Sequence, residues 1–223
     1  MSQFAGVIFD FNGVLWWDTH LQERAWTQYS ALARGTPFTQ EELHFIQGRP
    51  NADNMRYINP EADAATIAEM TRQEEAIYRG LCLEQGEAFR LAPGAIELLE
   101  HLVAHDIPHT IATSSDIANV RFFIEHLQLA NWFDVDAIVY ADGTFRGKPA
   151  PDIFLRAAER IGVAPERCIV CEDSLAGLAA AHAAGIGKIV ALPTGLAHDV
   201  LWRQPGVSAV ISDFHSFDRA WLS

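Results

Sequence analysis

The residues able to do chemistry in this chain fall at the ends of short apolar runs. "GVIFDFNG" (6–13) closes on Asp10 and Asn12, "IATSS" (111–115) on Thr113, Ser114 and Ser115, and "CIVCED" (168–173) on Glu172 and Asp173. Between the last two, "GKPAPD" (147–152) sets Lys148 in a loop ahead of a proline-started helix. Of sixteen basic residues only Lys148 and Lys188 are lysines. Three carboxylates converging on one lysine and a hydroxyl-rich helix start repel one another unless a cation and an anion join them. Carboxylate oxygens suit Mg²⁺. Lysine, hydroxyls and helix-start N–H groups suit a phosphate.

Such a set needs a scaffold that brings distant segments to one edge. "AGVIFDF" (5–11) is too short for a helix and too evenly apolar for a half-exposed strand, so it reads as a strand buried on both faces, as in parallel sheets. Similar runs occupy 109–115, 136–142, 168–173, 188–193 and 208–212, with helical patterns at 94–106, 116–127, 151–162 and 174–185 between them. This alternation predicts βαβ units and a doubly wound parallel sheet, with ligands at the carboxyl ends of the strands. Ser174 and Gly185 are placed as caps of an Ala-rich helix. Residues 16–92 break the rhythm, with helical periodicity and no convincing strand, over a span far longer than an ordinary connection. A helical domain inserted after the first strand is expected, with 1–15 and 93–223 forming the core domain.

Net charge of −13 over 223 residues argues against nucleic-acid or anionic membrane partners. Three cysteines make no disulfide framework, and no apolar run approaches a membrane span. A cytoplasmic location is expected. Cys168 and Cys171 form a C-x-x-C on an apolar run and read as core thiols.

Taken in order, "FDFNG", "IATSS", "GKPAPDIF" and "CEDSLAG" resemble the motifs of the haloacid dehalogenase-like (HAD) superfamily, in its beta-phosphoglucomutase-like and phosphoglycolate-phosphatase-like subgroup. The resemblance covers essentially the whole chain. It implies an α/β fold, a Rossmann-like core with an inserted helical cap domain, in a protein that is commonly monomeric. The implied activity is a Mg²⁺-dependent phosphatase acting on a small phosphorylated metabolite such as a sugar phosphate. Asp10 would be the nucleophile. Asp10, the carbonyl of Asn12, Asp173 and, directly or through water, Glu172 would hold Mg²⁺. Thr113 and the N–H of Ser114 would hold phosphate oxygens, and Lys148 would pair with Asp10 and the phosphate. The cap would close over the site, where Arg49 in "QGRPN" and His20 are candidates for substrate contact. Trp16 and Trp17 read as packing between the domains or as an aromatic gate.

Asn12 departs from the family, whose phosphotransferases carry an aspartate there as the acid/base. An amide exchanges no proton at neutral pH, and losing a positioned acid/base forfeits roughly 10²–10⁴ in rate. The open alternatives are a specialised phosphatase, a phosphoglucomutase-type phosphotransferase, and a nearly inactive or engineered phosphate-binding homologue. Mutase chemistry needs the missing acid most. The Glu172-Asp173 pair counts against haloacid dehalogenation, and the lysine-free cap against phosphonate cleavage.

Overall fold

The computed structural model describes residues 4–46 and 51–222. The chain divides into two compact units, Met1–Trp17 with Arg90–Ser223 and Asp18–Phe89.

The first unit is built on five parallel strands: β1 (Gly6–Phe9), β2 (His109–Ile111), β3 (Cys168–Glu172), β4 (Lys188–Ala191) and β5 (Val207–Val210), in the order β2-β1-β3-β4-β5. β1 and β3 are buried along their full length, as their unbroken apolar character requires in a sheet covered on both faces. α5 (Ala95–Ala104), α6 (Ile117–His126), α7 (Asp152–Arg160), α8 (Leu175–Ala183) and α9 (His198–Trp202) connect or follow the strands. The strand order runs outward in both directions from β1 and β3, which places the topological switch point there. Register does the rest. Phe9 lies beside Ile111 and Cys171, and Glu172 beside Ala191, so the residues after these positions emerge at one level on the carboxyl edge.

Local signals set the helix that follows β3. The Ser174 side chain accepts from the Gly177 N–H at the start of α8, and Gly185 takes φ +71° just past its end. Its small residues are buried against the sheet, within a core cluster of Ile8, Val170, Leu178, Ala181 and Ile189.

The strand expected over 136–142 does not form. Residues 135–137 make a 3-10 turn because the Asp134 carboxylate accepts the Asp136 N–H. Asp142 likewise captures the Thr144 N–H at 2.8 Å. Only Val139 reaches the sheet edge, donating to the Ile111 carbonyl and accepting from the Thr113 N–H, both at 2.9 Å.

The second unit is helical: α1 (Thr19–Arg34), α2 (Gln40–Ile46), α3 (Asn51–Ile58) and α4 (Ala64–Glu84). It has its own core, including Trp26, Tyr29, Phe38, Met55, Ile67 and Met70. Buried Asp18 accepts from Gln22 Nε2 and from the Tyr78 hydroxyl, tying the start of α1 to α4. Among the described residues no helix is long and apolar enough to cross a membrane.

Candidate active site

Asp10 follows the last residue of β1, Glu172 ends β3 and Asp173 comes next, each delivered by a buried strand that leaves no freedom in position. One oxygen from each lies within 4.8 Å of the others. Lys148 reaches into this cluster from the loop before α7. Its Nζ donates to Asp10 Oδ1 at 2.8 Å and to Glu172 Oε2 at 2.7 Å, with only 6% of its side chain exposed.

Burial pushes the Asp10 carboxyl up to about 7; the charge of Glu172 adds to the rise and Lys148 opposes it. Burial alone would lower Lys148, but Asp10 and Glu172 outweigh it and hold the ammonium more firmly protonated than usual. The second oxygen of Glu172, Oε1, accepts from the Asp173 N–H, the Ser174 N–H and the Ser174 hydroxyl at 3.1, 3.0 and 2.8 Å. Glu172 thus stands against the N-terminal turn of α8, where partial positive charge favours an anion. This requires Gly177, since a Cβ there would fall 2.0 Å from Glu172 Cδ.

Asn12 sits in the turn after β1, which is closed by Gly13 N–H to Trp16 O at 2.7 Å and Trp16 N–H to Phe11 O at 3.0 Å. The Ser115 hydroxyl donates to Asn12 Oδ1 at 2.9 Å, and the Ser115 N–H donates to Thr113 Oγ1 at 3.1 Å. Buried Thr113, exposed Ser114 and Ser115 form the loop entering α6, whose first turn is capped by Asp116.

Asp10, Asn12, Thr113, Ser114, Lys148, Glu172 and Asp173 thus share the carboxyl edge of one sheet. The two remaining candidates belong to the helical unit: His20 is exposed in the first turn of α1, and Arg49 lies outside the described residues. Cys168 and Cys171, three apart on β3, face opposite sides of the sheet, and burial raises the Cys168 thiol to about 12 and lifts Cys171 as well. They are core thiols.

The model of the haloacid dehalogenase-like hydrolases matches residues 4–185. The chain belongs to this family. Hexitol phosphatase A of Escherichia coli is 36% identical over 183 residues, 81% of this chain and 79% of that protein. Phosphorylated carbohydrates phosphatase of Thermotoga maritima is 31% identical over 82% of each chain. The crystal structure of a HAD hydrolase, family IA, variant 3, from Entamoeba histolytica is similar with a TM-score of 0.91 at 35% identity, covering 97% of both chains.

For a HAD-like hydrolase the donor set here is chemically apt. Three hard carboxylates with one ammonium among them leave negative charge that a divalent cation with oxygen preference would balance. One participant escaped the motif reading. Thr194, after β4, places Oγ1 at 2.7 Å from the Gly13 carbonyl and 3.2 Å from Asp173 Oδ2. A lone threonine in "ALPTG" carries no signal in the sequence.

Proposed function

We propose that this hydrolase cleaves phosphate monoesters of small phosphorylated metabolites, sugar phosphates foremost, through a phosphoryl group carried on Asp10. The observation that carries the reading is Lys148 bridging Asp10 and Glu172 inside a buried acidic cluster. An aspartate held there has one oxygen oriented by an ammonium and lies among groups suited to a cation. The names of the E. coli and T. maritima relatives support a carbohydrate phosphate as substrate.

An Asp10 oxygen attacks phosphorus as the bond to the leaving oxygen breaks; water then attacks the phosphorus, releasing phosphate and restoring Asp10. Two of the three Lys148 N–H donors serve carboxylates, and the third serves the transferring phosphoryl group. Thr113 Oγ1 and the Ser114 N–H bind its oxygens. Mg²⁺ held by Asp10, the Asn12 carbonyl and Asp173 would offset the negative charge on the phosphoryl oxygens. Both Glu172 oxygens are engaged by protein donors, so Glu172 contributes through water and by anchoring Lys148. Asn12 hydrogen-bonds the departing oxygen but gives it no proton, so that proton comes from solvent.

Asn12 also favours a second reading, a homologue that binds phosphate esters with almost no turnover. A panel of sugar, polyol and acyl phosphates with Mg²⁺, run on the parent and on Asp10→Ala, separates them. Turnover abolished in Asp10→Ala, with a phosphorylated Asp10 peptide in quenched parent reactions, supports hydrolysis. Binding without turnover supports the second reading. Turnover surviving Asp10→Ala refutes the nucleophile.

A further inference from the structure

We infer that Thr194 is a positioning residue of this site, its hydroxyl setting the Asp173 carboxylate and the Gly13 turn in the geometry that accepts the cation. The inference rests on the metal-assisted reading above and adds a residue to it.

β4 lies beside β3, and the ladder between them continues one step beyond the strands, Leu192 N–H donating to Glu172 O at 2.9 Å. The loop that starts there therefore leaves the sheet alongside Asp173, and Thr194 comes two residues later. Its single hydroxyl proton faces two acceptors: Gly13 O at 2.7 Å and Asp173 Oδ2 at 3.2 Å. Asp173 Oδ2 also rests on the bare Cα of Gly13, where a Cβ would lie 2.1 Å from it and where φ is +77°. That oxygen is held between the glycine and the threonine.

The same contact orients backbone. The Gly13 N–H donates to Trp16 O at 2.7 Å, which fixes the peptide plane carrying the Asn12 carbonyl, since N–H and C=O of a trans peptide point opposite ways. Thr194 fixes the next plane through Gly13 O. One group proposed to hold the cation, the Asp173 carboxylate, thus meets this hydroxyl directly, and a second, the Asn12 carbonyl, belongs to the turn whose next peptide plane the same hydroxyl anchors. Groups that orient metal ligands in this way typically change metal affinity about 10–100-fold when removed.

The test uses the full chain as parent, Thr194→Val, Thr194→Ser, Thr194→Ala and Asp173→Asn, with Mg²⁺ binding followed by calorimetry in phosphate-free buffer and by the Mg²⁺-induced rise in Tm. Thr194→Val keeps the shape and loses the donor, and is expected to bind Mg²⁺ about 10–100-fold more weakly. Thr194→Ser keeps the donor and is expected within about threefold of parent. If Thr194→Val does not fold, the Ser and Ala variants carry the same comparison. Parental affinity in Thr194→Val while Asp173→Asn loses binding overturns the role of Thr194 alone. Weakening in Thr194→Ser equal to that in Thr194→Val also overturns it, because a variant that keeps the hydroxyl would then lose as much as one that lacks it. A parent that binds no Mg²⁺ overturns the metal site and the inference with it.

Discussion

Replacing Asn12 by aspartate tests what the amide costs this enzyme. The Ser115 hydroxyl, 2.9 Å from Asn12 Oδ1, can donate equally to a carboxylate, so Asn12→Asp keeps this contact while exchanging the amide's N–H donors for an acid that can trade a proton. General acid–base catalysis contributes about 10²–10⁴ in rate, equivalent to roughly 2.7–5.4 kcal/mol at the transition state. The gain must depend on the leaving group. Alkyl oxygens, as in sugar and polyol phosphates, leave poorly without a proton and are expected to gain the full factor. Acyl and nitrophenyl phosphates, whose leaving groups are stable anions, are expected to gain about tenfold or less. The assay is kcat/KM at saturating Mg²⁺ along a series of phosphate esters graded by leaving-group pKa. The parent should show a steep dependence and Asn12→Asp a shallow one. A uniform gain across the series, or less than about threefold on alkyl esters, would refute the reasoning. Deamidation of the Asn12-Gly13 pair would mimic the variant, but it requires attack by the Gly13 nitrogen, whose N–H is engaged by Trp16 O. Peptide mass maps of parent should therefore show no deamidation at Asn12 over the assay.

Removing the lysine that joins the acids has a different signature. Lys148→Met leaves two buried carboxylates without their cation and is expected to cost about 3–5 kcal/mol, a Tm fall of roughly 6–20 °C, partly recovered by Mg²⁺; an unchanged Tm by calorimetry contradicts the bridge. Gly177→Ala, which in an open helix would gain about 1 kcal/mol, here drives a methyl into Glu172, and its Tm should instead fall by at least about 4 °C with a loss of turnover. The raised Asp10 pKa makes Mg²⁺ binding compete with a proton: affinity is expected to rise with pH up to and through about 7, with proton release measurable by calorimetry in buffers of different ionisation enthalpy. The same shift sets the sign for the metal-free protein. A carboxyl whose folded pKa lies above its unfolded value stabilises at low pH, and that contribution disappears as pH rises through about 7; chemical denaturation at several pH values in a chelator, showing the opposite trend after Asp10→Asn subtraction, would contradict it.

What the sequence determined by itself is the kind of fold and the kind of site. Unbroken apolar runs such as "GVIF" and "CIVC" specify strands buried on both faces, because water tolerates neither side. Their alternation with capped helices leaves little besides a parallel sheet, and acids at the ends of those runs must then gather at one edge. Asp10, Glu172 and Asp173 were legible for that reason, and Lys148 as one of two lysines in the chain, set in the loop ahead of a proline-started helix. Tertiary structure decided what local pattern could not. The run at 136–142 looks like the other strands, yet Asp134 and Asp142 bend its backbone away and leave Val139 as the point of pairing. Glu172 reads as one more cation ligand until both its oxygens are found engaged, by Lys148 on one side and the start of α8 on the other. Thr194 stands 181 residues from the Gly13 carbonyl it holds. Only the order of strands in the sheet, which places β4 beside β3, brings that hydroxyl to the site.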